Sequence, residues 1–218
     1  MNRSFVPVFA AVFASGTCLS LIAATSAVAA PVSAQLAPFH AISINSFATL
    51  HFTQGAKQSV RITATAVTRR NLILTVHEGV LTVNSTTHHG SFWNHDQAVQ
   101  LTITLPSLTA ITDNGVLHGT LNKLNEPALA IRFSGAGSLT LSGQVQHLTT
   151  TIGGAARIHA GNLSTDQLTA RIGGVGKINV HVVKQADVNI GGVGHVHITG
   201  NPPIRHIHTG GVGSVTFN

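Results

Sequence analysis

The tightest constraint on this chain is a phrase that it repeats. "FSGAGSLTL" begins at Phe133, "IGGAARIHA" at Ile152, "IGGVGKINV" at Ile172, "IGGVGHVHI" at Ile190 and "TGGVGSVTF" at Thr209, and a degenerate copy, "DNGVLHGTL", begins at Asp113. The aligned glycines Gly115, Gly135, Gly154, Gly174, Gly192 and Gly211 are 20, 19, 20, 18 and 19 residues apart. A fixed period of that length marks a solenoid. Each copy has an alternating apolar and polar segment on either side of its glycines, and strand alternation sends every second side chain to one face. After the turn, Leu139, Ile158, Ile178, Val196 and Val215 form one inward file, and Leu141, Ala160, Val180, Ile198 and Phe217 a second. Before the turn, Ile131, Thr150, Ala170, Val188 and Ile207 form a less uniform third. Rungs stacked about 4.8 Å apart put like on like. The pattern predicts an all-β chain: a parallel β-helix, or β-solenoid, with coils of about 19 residues and Gly-rich turns.

The glycine phrase is not a ligand loop by its own letters. It lacks the Lys-Ser/Thr of a phosphate loop, and no helical pattern follows it. A dinucleotide turn must open a helix. A calcium-binding nonapeptide needs an Asp where this chain has Ile178, Val196 and Val215. The expectation is an architectural joint, with glycine supplying a positive φ and close backbone approach at each corner.

Residues 38 to 105 lack the phrase but keep the alternation. "HAISINSFATLHFTQG" reads as two strands, "SVRITATA" as another, and "LILTVHEGVLTVNS" as a hairpin turning at "HEGV". "AVQLTITLP" is a further strand that Pro106 ends. This section is expected to form the first coils or to cover their open end, where strand edges would otherwise stand unpaired.

Ahead of it, Arg3, the uncharged run "FVPVFAAVFASGTCLSLIAA" and the small-residue site at Ala27 and Ala29 read as an export signal. The expected organisation is a signal peptide over 1–29, a short segment over 30–38, and one β-solenoid domain over 39–218. That domain divides into N-terminal strands or cap (39–106) and regular coils (107–218). Cleavage after Ala34 is the alternative, and an uncleaved anchor a second. The sole cysteine, Cys18, lies in the leader, so the mature chain is expected to hold no disulfide and no transmembrane span.

Three stretches together resemble the GIN-domain family, labelled "putative auto-transporter adhesin, head domain". They are "AISINSFATLHFTQG", "VQLTITLPSLTAITDNG" and the run of "GGxGxI/V" coils, and they cover about residues 39 to 218. This chain has "GG" where the family commonly has "SG". The resemblance implies a β-helix exported by bacteria, and it implies no catalytic residues. No C-terminal translocator-barrel segment is legible, so self-export is not expected.

Twelve basic and six acidic side chains give a net charge of +6. The bases are scattered and not interleaved with aromatic rings, which argues against a nucleic-acid partner. Weak attraction to anionic glycans or lipid headgroups suits such a surface better. Of the fourteen histidines, His195/His197 and His206/His208 form H-x-H pairs, each pair sharing a strand face as metal sites often need. No third ligand joins either pair, so no metal and no cofactor are expected. Asp187 aligns one rung from His206 but lacks a nucleophile or second acid in its column, and six acids are few for a polysaccharide-cleaving β-helix. The most binding-like stretch is the loop "HHGSFWNHDQ", with His88, His89, Phe92, Trp93 and His95. Loop aromatics form sugar platforms or partner anchors; the bland alternative buries Trp93 on the coil.

These readings converge on an exported, non-catalytic interaction or adhesion module of the periplasm, outer surface or medium. Its expected partner is a glycan or an envelope protein. The alternatives are a carbohydrate-active β-helix enzyme and a purely structural envelope protein. The last coil, with Val215 and Phe217 at its tip, is expected to expose an edge suited to strand addition, and hence to self-association.

Overall fold

The computed structural model describes residues 32–34, 36–85 and 99–218. It is a β-solenoid of parallel stacked coils, as the repeat predicts. The regular part begins with β8 (Ala110–Asp113) and β9 (Val116–Phe133). It continues through β10 (Ala136–Ile152), β11 (Ala155–Ile172), β12 (Val175–Ile190), β13 (Val193–Thr199), β14 (Ile204–Thr209) and β15 (Val212–Phe217). Each long strand carries a post-turn wall, a corner and the next pre-turn wall. The corner falls at Lys123 in β9 and at Gly143 in β10, both with positive φ. The register between neighbouring rungs shifts there, as between Thr140 and Ser142.

The inward files stack as the alternation requires. Leu139 pairs with Ile158, Ile158 with Ile178, Ile178 with Val196 and Val196 with Val215. All but Val215 are fully buried. Burying a Val, Leu or Ile side chain stabilises by roughly 1.5–3 kcal/mol, so the repeat of these files is the main cohesive term of the coil.

The glycine corners need glycine for one of the two expected reasons. None of the six aligned glycines has a left-handed φ. What excludes a side chain is the stack itself. A Cβ at Gly174 would lie well inside 3.0 Å of the carbonyl oxygens of Gly154 and Gly153 on the rung below. The corner is also hydrogen-bonded rung to rung: Gly174 N donates to Ile152 O at 3.1 Å, and Val175 N to Gly154 O at 2.8 Å. The first glycine of the pair is different. A Cβ at Gly173 meets only Ile152 O, at an ordinary 3.9 Å.

The N-terminal section supplies both more coils and a cover. Its elements are β1 (Val32–Ser33), β2 (Ala41–Ile44), β3 (Phe47–Gln54), β4 (Ser59–Thr63), α1 (Ala66–Arg70), β5 (Leu72–His77), β6 (Val80–Ser85) and β7 (Val99–Leu105). β2 and β3 form the rung beneath β8 and β9. β6 and β7 form the rung beneath that. The stacking order is therefore not the chain order, because the chain makes β2–β3 first and later inserts β6–β7 below it. Antiparallel β4 and β1 extend the β7 edge, and antiparallel β5 covers β6. The β5–β6 hairpin turns at Glu78 (φ 49°) and Gly79 (φ 73°), as read from "HEGV". α1 was not expected. Thr65 caps it, its Oγ1 accepting from Thr68 N, so a cap ends the strand of "SVRITATA" after Thr63 and opens a turn of helix.

Two polar devices tie the early rungs. An asparagine ladder runs up the corner: Asn114 donates to Asn45 Oδ1 at 2.8 Å, and Asn45 to Asn84 Oδ1 at 2.7 Å. Where the chain climbs from β7 to β8, the buried Glu126 accepts from Leu108 N (2.8 Å) and Ser107 Oγ (3.0 Å). Among the polar residues at inward positions, which include Thr150 and Thr165, one is a carboxylic acid set within an apolar file. Asp113 occupies the file of Ile44 and Phe133 and is fully buried. Gly115 N donates to its Oδ1 at 3.1 Å, while Oδ2 has no partner. Burial pushes this carboxyl up to about 6, against a lesser downward pull from the Gly115 bond.

Candidate functional site

The post-turn wall is a broad continuous surface. It is a run of ten strands of the fifteen-stranded sheet, in the order β1-β4-β7-β3-β9-β10-β11-β12-β13-β15. Strand pleating puts three outward files on it. The first, next to the glycine corner, is apolar and, apart from Phe47, small: Phe47, Val116, Ala136, Ala155, Val175, Val193 and Val212. Val175 is 57% exposed and Val212 73%.

The second file reads His118, Ser138, Arg157, Lys177, His195 and Ser214 on successive rungs. A shallow groove of about 420–620 Å³ is not unique to this wall, but the one between these two files, about 620 Å³, runs across all six rungs. The third file reads His51, Thr120, Thr140, His159, Asn179, His197 and Thr216. Arg61 on β4 continues it beyond Thr102.

The wall's chemistry is one-sided. Every side chain in the second and third files can donate a hydrogen bond, and none is a carboxylate. Arg157 sits directly over Lys177, and neither has a partner among the described residues. Four imidazoles are held in place by a hydroxyl one rung away, each through Nδ1. The pairs are His118 with Ser138 (2.9 Å), His195 with Ser214 (2.7 Å), His197 with Thr216 (2.9 Å) and His51 with Thr120 (3.2 Å). When the hydroxyl donates to Nδ1, Nε2–H is left as an outward donor. The wall is thus a preset array of donors and positive charge on a rigid ladder.

The pre-turn wall differs. Asp187 and His206 pair across one rung at 2.6 Å, as their alignment predicts, and Gln185 Nε2 donates to the other Asp187 oxygen at 2.8 Å. Thr169, Arg171, Asn189 and His208 surround them in the groove of about 420 Å³. A hydrolytic relay would need a hydroxyl on the second imidazole nitrogen. Among the described residues no rung lies beyond His206 to supply one. On the adjoining stretch, Lys184 pairs with Asp166 at 2.8 Å. The two H-x-H pairs fall on different walls, His195/His197 on β13 and His206/His208 on β14. Among the described residues no three His, Cys, Asp or Glu side chains gather as a metal site would need.

Of the residues singled out in the sequence for contact, His88, His89, Phe92, Trp93 and His95 lie outside the described residues. They belong to the connection between β6 and β7. The basic file was not singled out in the sequence, although its signal was there: it is the third residue after each glycine corner. At the far end, β14 and β15 form the last described rung. Ile204, Ile207 and Val212 are exposed there, and Arg205 lies 4.2 Å from the centre of the Phe217 ring. Among the described residues no helix is long and apolar enough to cross a membrane.

Comparison with known proteins agrees with this architecture. The sequence family described as "Putative auto-transporter adhesin, head GIN domain" matches residues 38–202. A solved structure of a "putative adhesin" from Bacteroides fragilis NCTC 9343 is similar with a TM-score of 0.69 and 22% identity, covering 87% of this chain and 96% of that one. A "putative lipid binding protein" from Parabacteroides distasonis ATCC 8503 is similar with a TM-score of 0.51 and 16% identity, over the same shares. No curated protein sequence matches.

Proposed function

This chain belongs to the GIN-domain family, and from that membership we propose that it is an exported, non-catalytic interaction module of the adhesin type. It acts at the cell surface or in the periplasm, released there by removal of the leader over residues 1–29 to leave one solenoid domain over 39–218. The observation that carries the reading is the ten-stranded wall. It presents unpaired bases and hydrogen-bond donors on a rigid, open sheet, with no carboxylate among its outward files. A surface of that kind recognises extended partners by complementary charge. Its described residues form a shallow groove and not an enclosed cleft in which water could be excluded from a reaction. The β6–β7 connection with Trp93 is a second contact in this reading, and the last described rung, with Ile207 and Val212 exposed, a point of self-association.

The test is a sedimentation assay with isolated bacterial envelopes. The purified protein is expected to bind saturably. Charge reversal at the wall, Arg157→Glu with Lys177→Glu, is expected to lower the bound fraction at least fivefold while the melting temperature stays within a few degrees. Undiminished binding by that folded variant would remove the wall from the function.

A further inference from the structure

We propose that the ligand of this wall is a linear acidic polysaccharide lying along the solenoid axis, its carboxylates or sulfates on the Arg157–Lys177 file and its ring faces on the Val175–Val193 file. The proposal rests on the interaction-module reading and names the chemistry of its partner.

Three observations carry it. The first is an uncompensated charge. Like charges directly opposite on neighbouring strands destabilise a sheet, yet Arg157 and Lys177 are direct neighbours with no acid beside them among the described residues. On the pre-turn wall and the stretch beside it, by contrast, Lys184 is matched by Asp166 and His206 by Asp187. A polyanion would satisfy the unmatched pair, with Arg157 able to hold a carboxylate or sulfate through two parallel bonds.

The second observation is the pitch. The donor file advances one side chain per rung, about 4.8 Å, which is close to the length of one hexuronate residue in an extended chain. His195 Nε2, oriented through Nδ1 by Ser214, extends the same file by one rung.

The third is what the wall lacks. A neutral sugar needs an aromatic platform, and single-stranded nucleic acid needs rings for its bases to stack on. The outward files hold no Trp or Tyr, and one Phe, Phe47 on β3. A membrane surface calls for bulky apolar groups that sink below the headgroups. The apolar file here is Val and Ala, with the single Phe47 at its β3 end. Charge and donors are the main handles of the described wall, and an acidic glycan is the extended polymer that uses both.

The experiment measures binding of the purified protein to alginate and to polygalacturonate. Dextran serves as the neutral polymer, and phosphatidylglycerol–phosphatidylcholine vesicles as the anionic membrane. Polyuronate binding should weaken at least tenfold between 50 and 500 mM salt, on the order expected for contacts between exposed charges. Arg157→Gln with Lys177→Gln should weaken it at least tenfold, and Arg132→Gln with Arg171→Gln, on the pre-turn wall, less than twofold. Equal binding of dextran, or no polyuronate binding, would overturn the ligand class. Vesicle binding that depends on Arg157 and Lys177 without polyuronate binding would also overturn it, but would leave the wall as the interaction surface. Polyuronate binding that survives the Arg157/Lys177 variant and fails in the Arg132/Arg171 variant would move the site to the other wall and overturn the proposal.

Discussion

Replacing Asp113 by Asn should change how the stability of the protein depends on pH. Asp113 sits where every neighbour in its file is apolar, between Ile44 and Phe133. Desolvation raises its carboxyl from the usual 3.8 to about 6. Below 3.8 the group is protonated in both the folded and the unfolded chain and costs nothing. As the pH rises, the unfolded chain gives up its proton first, while the folded chain holds it until about 6. Stability therefore falls across that window. The difference of about two pH units corresponds to about 3 kcal/mol at neutral pH. Asn keeps the oxygen that accepts from Gly115 N and carries no charge. The assay is urea denaturation of wild type and Asp113→Asn at half-unit steps from pH 3.5 to 8. Subtracting one curve from the other removes the contribution of the remaining carboxylates. The wild type should lose about 3 kcal/mol relative to the variant between pH 4 and 7. Parallel curves, or a wild type that gains on the variant as pH rises, would refute the reasoning.

The two glycines of one corner should behave oppositely. Gly174→Ala forces a Cβ into backbone oxygens that cannot move aside, at a cost of at least about 1–3 kcal/mol, whereas Gly173→Ala should melt within a degree or two of wild type. Glu126→Ala strands the buried Leu108 N–H and should cost about 1–3 kcal/mol by denaturant titration. Trp93→Ala should weaken envelope binding with little change in melting temperature, and a large stability loss would assign Trp93 to the core. Sedimentation velocity over a hundredfold concentration range should reveal self-association, and Lys in place of both Ile207 and Val212 on the last rung should abolish it.

The regular coils were legible because two periods agree. The step of about 19 residues fixes which rung a residue occupies, and the strand period of two fixes which face. Together they placed Leu139, Ile158 and Ile178 in register and put Asp187 against His206. The wall's basic file followed from the same arithmetic, but only once the outward positions were collected across rungs. The N-terminal order was not legible, since alternation in "SINSFATLHF" and "AVQLTITL" declares strands and says nothing of partners. The glycine corners were read for the wrong part of their reason. A sequence shows that glycine recurs but not whether φ or a neighbouring carbonyl demands it, and here the carbonyl does. Asp113 was aligned with Phe133 and Ile152 from the outset, so its burial could have been read from the alignment of the copies.

Because β3 lies between β7 and β9, the first long strand made has no neighbour to bind until some fifty further residues, and then a dozen more, have followed it. That end of the molecule must close in one cooperative step around contacts distant in sequence, which is slow. From β10 onward the situation reverses, and each new rung meets a finished edge and adds to it with only nearest-neighbour contacts. Assembly should resemble a seed followed by one-way growth, in step with a chain emerging from its N-terminus. The slow step would be over before the five rungs from β10 onward exist, and their number could change by one repeat without any alteration to the seed.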